Sequence, residues 1–114
     1  MVDLLIDTDV FLDHLRGARA FDARDHRVHY SVVTRAELLA GTTAEDAVRT
    51  LLGPFRGIGV GRAIAERAGR ICREAGVRLP DALIAATALE ERVTLVTRNR
   101  RNYGRNGGLD LRTP

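Results

Sequence analysis

Short apolar runs alternate with segments of helical periodicity along the whole chain, and this alternation constrains the fold more than any other feature. The predicted strands are residues 4–6, 28–33, 56–60, 94–97 and 109–111. The predicted helices are residues 10–16, 35–40, 43–52, 62–75 and 82–91. Strands separated by helices pair in parallel more readily than as hairpins. The sequence therefore predicts an α/β fold with one parallel sheet layered by helices.

Local signals predict where several of these elements begin. Thr8 or Asp9 is expected to cap the first helix, and Thr34 the second, with Glu37 completing a capping box three residues later. Residues 18–27 are interpreted as a short helix and loop. The helix at residues 82–91 is apolar nearly all round. It must therefore be buried on most sides, either within the domain or at a subunit contact.

Length and composition predict one domain, residues 1–114. A single cysteine, Cys72, excludes an intrachain disulfide and a cysteine-built zinc site. No apolar run approaches the roughly 20 residues needed to span a bilayer, and the start of the chain lacks the basic segment of a signal peptide. We expect no membrane association and a cytoplasmic protein.

The basic residues are 18 arginines, with no lysine, and the formal net charge is +3. An excess of arginine fits a polyanionic partner, although many basic proteins bind none. The absence of lysine also weighs against two enzyme classes. Asp7-Thr8-Asp9 superficially matches haloacid-dehalogenase-like phosphatases and response-regulator receivers, both of which place a lysine at the site.

Three acids do not fit a solvated helix face. Asp7 ends an apolar strand, Glu37 lies in a short helix beside Leu38 and Leu39, and Asp81 opens the apolar helix. Each one alone has a purely structural explanation as a cap, a capping-box partner or a complement to the helix dipole. Asp7 also follows a strand, where parallel sheets commonly build their sites.

Four segments together resemble the signature segments of PIN-domain nucleases, and the short chain resembles the VapC toxins of bacterial toxin–antitoxin pairs. The segments are Ile6-Asp7-Thr8-Asp9-Val10-Phe11, Thr34-Arg35-Ala36-Glu37-Leu38, Leu79-Pro80-Asp81-Ala82-Leu83-Ile84-Ala85-Ala86-Thr87-Ala88 and Leu95-Val96-Thr97-Arg98-Asn99. The resemblance extends from about residue 3 to residue 112. It implies a PIN-like three-layer sandwich with a central, mainly parallel sheet of four to five strands.

The resemblance also implies a site and its ligands. Asp7, Glu37 and Asp81 match the acids that hold one or two Mg²⁺ or Mn²⁺ ions, and Asn99 matches a fourth position that is often aspartate. The supporting positions are Thr8, Asp9 and Thr97, with Asp9 interpreted as a supporting acid or only a helix cap. Crowded carboxylates raise one another's pKa unless a cation lies among them, and oxygen ligands suit Mg²⁺ or Mn²⁺. The expected reaction is metal-assisted hydrolysis of RNA phosphodiester bonds.

Substrate binding is predicted to fall to the arginines that follow the fourth strand. These RNA-binding candidates are Arg98, Arg100, Arg101 and Arg105, each of which could instead belong to a solvated loop. Tyr103 is expected to pack its short helix onto the sheet, with stacking on a base as the alternative.

The resemblance further implies partners: a small VapB-like antitoxin that occludes the acidic pocket, a homodimer and a toxin–antitoxin hetero-oligomer. Two alternatives remain open. The chain could be a housekeeping RNA-processing nuclease, or a PIN-like module that binds RNA or protein without cutting it.

Overall fold

The computed structural model describes residues 2–104 and 108–114 and contains a five-stranded sheet. The strands are β1 (Val2–Ile6), β2 (His26–Ser31), β3 (Arg56–Ile58), β4 (Thr94–Val96) and β5 (Leu111–Arg112). Their order across the sheet is β3-β2-β1-β4-β5, and every neighbouring pair is parallel. The predicted parallel sheet is confirmed.

Five α-helices cover the two faces of this sheet. They are α1 (Thr8–Leu15), α2 (Val32–Ala40), α3 (Glu45–Leu52), α4 (Arg62–Ala75) and α5 (Leu79–Glu91), and a 3₁₀ helix spans Arg100–Tyr103. The predicted bounds of α4 are confirmed at both ends. At its carboxyl end, Gly76 adopts a left-handed conformation that ends the helix.

The core consists of two apolar clusters, one on each face of the sheet. Leu5 points into the cluster with α4 and α5, whereas its neighbours Leu4 and Ile6 point into the cluster with α1, α2 and α3. Alternate residues of a strand face opposite sides, so the uninterrupted apolar run in β1 serves both clusters. The result is the three-layer sandwich that the sequence predicted.

Most of helix α5 is buried within this sandwich, although Leu79 at its start is 56% exposed. Its buried side chains are Ala82, Ile84, Ala85, Ala86, Thr87 and Ala88. Small alanines allow α5 to pack closely against α4 and the sheet, which explains why the helix is apolar nearly all round.

Two predicted helix caps are wrong. Asp7, rather than Thr8 or Asp9, caps α1, because its side chain accepts a hydrogen bond from the Thr8 backbone N–H. Ser31, rather than Thr34, caps α2, with its Oγ accepting from the backbone N–H of Val33 over 3.1 Å. No capping box therefore forms at Glu37, and Thr34 lies buried inside the helix.

Several predicted bounds also shift. Residues 18–27 contain no helix, and the β-branched pair at residues 32–33 belongs to α2 rather than to the second strand. The third and fourth strands are shorter than predicted, and the last strand is Leu111–Arg112 rather than residues 109–111. Helices α1 and α5 begin earlier than predicted, whereas α3 begins later. None of these shifts removes a predicted strand from the sheet.

The chain reverses its direction of progress across the sheet at β1. It proceeds from β1 to β2 and β3 on one side, then returns to place β4 and β5 on the other. The crevice beyond the carboxyl ends of such central strands is where open α/β sheets place their ligands. Within the described ranges, no helix is both long and apolar enough to cross a membrane.

Candidate active site

A cavity of about 200 Å³ lies beyond the carboxyl ends of β1 and β4. Its lining residues are Asp7, Thr8, Asp9, Leu12, Glu37, Arg78, Pro80, Asp81, Asn99 and Asn102. Four of these residues are acids contributed by three helices or their caps. The structure thus brings together the acids that the sequence singled out from segments far apart along the chain.

Asp7 is the most tightly held of these acids. Its carboxylate is 5% exposed and accepts three hydrogen bonds. Oδ1 accepts from the Thr8 N–H over 2.8 Å, and Oδ2 accepts from Thr97 Oγ1 over 2.7 Å and Tyr103 Oη over 2.6 Å. These three donors fix the orientation of the carboxylate.

Glu37 is oriented through a pair of threonines. Thr8 Oγ1 donates to Glu37 Oε1 over 2.7 Å, and the hydroxyl oxygens of Thr8 and Thr34 lie 2.9 Å apart. A hydroxyl has one proton to donate, so Thr34 must donate to Thr8 while Thr8 donates to the carboxylate. Thr34 is fully buried. Through the Thr8 hydroxyl it is linked to Glu37, which lies one turn later in the same helix α2.

Asp9 is half-buried in the first turn of α1 and contacts the segment that follows β4. Its Oδ2 accepts from the Arg98 backbone N–H over 3.1 Å and lies 3.3 Å from Thr97 Oγ1. Its Oδ1 is buried and accepts no hydrogen bond from any residue that the structure describes. Burial, followed by the negative charge of Asp7, raises the pKa of Asp9 to about 6.

Asp81 enters the cavity from the first turn of α5. Burial raises its pKa to about 6, and the negative charges of Asp7 and Glu37 contribute in the same direction, whereas Arg78 opposes them. The neighbouring carboxylates therefore make Asp81 harder to ionise.

Two amides, Asn99 and Asn102, complete the polar lining. Asn99 was predicted as the fourth site residue, and its backbone N–H donates to Thr97 Oγ1 over 3.1 Å. Asn102 was not predicted. It lies in the 3₁₀ helix one residue before Tyr103, whose ring is fully buried as its predicted packing role requires.

The predicted RNA-binding arginines are placed differently from one another. The Arg98 guanidinium forms an ion pair with Asp13, and its side chain lines other cavities than the acidic one. Arg100 and Arg101 are exposed and do not line the acidic cavity, and Arg105 lies outside the described residues.

Sequence reasoning missed four contributors: Arg78, Asn102, Thr34 as a donor, and the Tyr103 hydroxyl as a donor to Asp7. Arg78 precedes Asp81 by three residues at the start of an apolar helix, and that position was the only available signal for it.

The donor set suits a hard divalent cation, although the carboxylates form no closed cage. Among residues 2–104 and 108–114, no three acidic, histidine or cysteine side chains are grouped as direct ligands of one ion. Mg²⁺ usually retains several waters and takes only one or two carboxylates directly. An oxygen-lined cavity with an unpaired buried carboxylate oxygen fits that mode of binding.

Comparisons with known proteins agree with this architecture. A model of the PIN domain family matches residues 4–107. Ribonuclease VapC10 from Mycobacterium tuberculosis is 39% identical over an alignment that covers 84% of this chain and 82% of that protein.

Solved structures give the same result. A toxin–antitoxin complex from Klebsiella pneumoniae contains a chain of 31% identity that superposes with a TM-score of 0.83, covering 97% of both chains. VapBC-5 from Mycobacterium tuberculosis contains a chain of 25% identity with a TM-score of 0.71, covering 99% of this chain and 98% of that one. The chain therefore belongs to the PIN-domain family, within its VapC branch.

Proposed function

We propose that this chain, as one nuclease domain, is a metal-dependent endoribonuclease that acts as the toxin of a type II toxin–antitoxin pair and inhibits translation or growth. The observation that carries the proposal is the convergence of four carboxylates on one cavity with a single arginine beside them. Similarity to a protein named as a ribonuclease and to a chain of a toxin–antitoxin complex supports it.

In this proposal Asp7, Glu37 and Asp81 hold Mg²⁺ or Mn²⁺, directly or through water, and Asn99 contributes an amide beside them. A bound ion would polarise a phosphoryl oxygen and lower the pKa of a coordinated water. The chain's own contribution is orientation. Asp7 is held by Thr8, Thr97 and Tyr103, so its carboxylate does not have to reorient when substrate arrives.

The remaining acids have distinct roles in the proposal. The Thr8 hydroxyl holds Glu37, whereas Asp81 accepts no hydrogen bond from the described residues and keeps its oxygens available for an ion or a water. Asp9 positions the segment after β4, because its carboxylate accepts from the Arg98 backbone N–H and lies close to the Thr97 hydroxyl. Arg100 and Arg101 remain proposed contacts to RNA beyond the cavity, and Arg105 remains a proposed RNA-binding residue.

The proposed partners follow from the toxin assignment. A VapB-like antitoxin would cover the cavity. A basic side chain of the antitoxin would lie among the carboxylates and offset their repulsion. We also propose a homodimer that assembles with the antitoxin into a hetero-oligomer in the cytoplasm. Growth arrest on expression, relieved by a small protein encoded beside this chain, would separate a toxin from a housekeeping nuclease.

The test of catalysis is RNA cleavage by the purified protein with Mg²⁺ or Mn²⁺. We expect Asp7→Asn to lower the cleavage rate by at least about 100-fold, since metal-assisted charge stabilisation is worth several kcal/mol. Asp3→Asn is the matched control, because it makes the same change at the other end of β1.

Three results would contradict the proposal: cleavage that persists in Asp7→Asn, cleavage that persists with a chelator, or an Asp3→Asn variant that is equally impaired. RNA binding without cleavage in any metal would favour the non-catalytic PIN-like module instead.

A further inference from the structure

Arg78 is the cationic side chain that the structure places at the acidic cavity. It precedes α5, its side chain is exposed, and it lines the cavity together with Asp81. Within the described part of the chain, Arg78 makes no ion pair with a carboxylate, although its positive charge lowers the pKa of Asp81 against the effect of burial. Its guanidinium donors are therefore available to a ligand.

The negative charge of the cavity makes the positive charge of Arg78 important for binding an anionic ligand. A phosphodiester that approaches four carboxylates is repelled by them, so nearby cations are needed to hold it. Arg98 does not supply that charge, because its guanidinium is paired with Asp13. Among residues 2–104 and 108–114, Arg78 is the one basic side chain that lines this cavity.

Building on the proposed function, we propose that Arg78, rather than Arg98, binds the RNA backbone phosphate at the point of cleavage. A guanidinium presents paired N–H donors that match two oxygens of a phosphate, so an exposed arginine at the cavity can grip the backbone without reading the base. Arg78 thus acts as a binding residue that positions the strand, and the carboxylates act on the phosphate it holds.

The experiment measures affinity separately from cleavage. In an Asp7→Asn background with Mg²⁺, the binding of a fluorescent single-stranded RNA is followed by anisotropy for Arg78→Ala, Arg78→Lys and Arg98→Ala. Arg62→Ala is the matched control, because Arg62 is an exposed arginine at the start of α4. It is remote from Arg78, since the Arg67–Glu90 ion pair joins the middle of α4 to the end of α5.

Arg78→Ala should weaken RNA binding by about tenfold or more, the effect of losing a hydrogen-bonded charge contact. It should also reduce the slope of log affinity against log salt by about 0.7, the value for one phosphate contact on a single strand. Arg78→Lys should restore the salt slope but only part of the affinity, because lysine keeps the charge and loses the paired donors.

An Arg78→Ala variant that binds RNA as tightly as Arg62→Ala, with the same salt slope, overturns the inference, and so does a larger effect of Arg98→Ala. Thermal melting of each variant excludes misfolding as the cause. A wild-type protein that never cleaves RNA, yet binds it in an Arg78-dependent manner, would refute the nuclease proposal and still support the contact between Arg78 and an RNA phosphate.

Discussion

The two ends of strand β1 hold acids in opposite environments. At the amino end, Asp3 contacts two basic side chains of the chain itself: Arg27 Nε lies 2.8 Å and His29 Nε2 lies 3.0 Å from its Oδ1. At the carboxyl end, Asp7 is held by hydroxyl and backbone donors and lies beside three further acids. The same residue type thus has a counter-charge at one end and mainly like charges at the other.

The pKa values follow this difference. The hydrogen bond from Arg27 lowers the pKa of Asp3 to about 2, whereas burial raises the pKa values of Asp9 and Asp81 to about 6. Perturbed acids in a cleft indicate function more often than balanced ones do. Asp3 thus has its counter-charge within the chain, whereas in the proposed function a bound metal ion would supply the counter-charge for the acids at the carboxyl end.

The largest effect is expected from removing one donor to Asp7. Tyr103→Phe in chelator should lower the free energy of unfolding by about 1.5–3 kcal/mol, the range for a hydrogen bond to a charged group. Urea denaturation measures it. Tyr30→Phe is the matched control, since the Tyr30 hydroxyl accepts from the half-buried Arg35 guanidinium, which water can satisfy instead. Equal costs for both variants would mean that the buried carboxylate is not specially dependent on Tyr103.

An intermediate effect is expected from pH, with opposite signs at the two ends of β1. The pKa of Asp81 is about 6 in the folded chain against a reference of 3.8, so the folded state binds its proton more tightly. Without metal, stability should therefore rise by about 1 kcal/mol as the pH falls from 7 towards 4, after allowance for solvent screening. Asp9, whose pKa is also about 6, should contribute to the same rise, so Asp81→Asn should remove only the part that is due to Asp81.

At the amino end the pKa of Asp3 is lowered, so its contribution is present above pH 4 and is lost as the pH falls towards 2. Asp3→Asn should flatten that lower part of the curve alone. With Mg²⁺ present, acidification from pH 7 should destabilise the protein, because metal binding requires deprotonated ligands. A metal-free curve that falls steadily from pH 7 would contradict the contrast between the two ends.

The smallest effect is expected from Arg27→Ala. The Arg27–Asp3 pair is exposed at the surface, with 60% of the Arg27 side chain accessible, so water and salt already screen it. We expect the urea midpoint to change little at low salt and not at all at high salt. A large loss of stability would show that the amino end depends on its ion pair as strongly as the carboxyl end depends on its hydrogen bonds.

The resemblance to PIN-domain nucleases implied that Asp7, Glu37 and Asp81 would meet, whereas topology alone accounts only for the position of Asp7. Asp7 directly follows a strand of a parallel sheet, and such strands end at one common edge. Helix α4 was equally predictable, since its apolar stripe and terminal glycine are local signals.

The arginines show where sequence reasoning fails. Arg98 is adjacent to Thr97, and adjacency suggested that both face the acids. Neighbouring residues of an extended segment point to opposite sides, so the Thr97 hydroxyl contacts Asp7 while the Arg98 side chain contacts Asp13. Arg78 reaches the cavity through the packing of α5, for which its position three residues before Asp81 was the only signal in the sequence.

The hydrogen bonds to Asp7 have a consequence for how this protein is made. Asp7 belongs to the first strand, yet two of its three donors are separated from it by 90 and 96 residues. During translation, the strand and its acid emerge early, and the groups that hold the carboxylate emerge near the end of the chain. We therefore expect the nascent polypeptide to lack an ordered cavity while most of it is still being made, which would spare the ribosome and its message from a nuclease under synthesis.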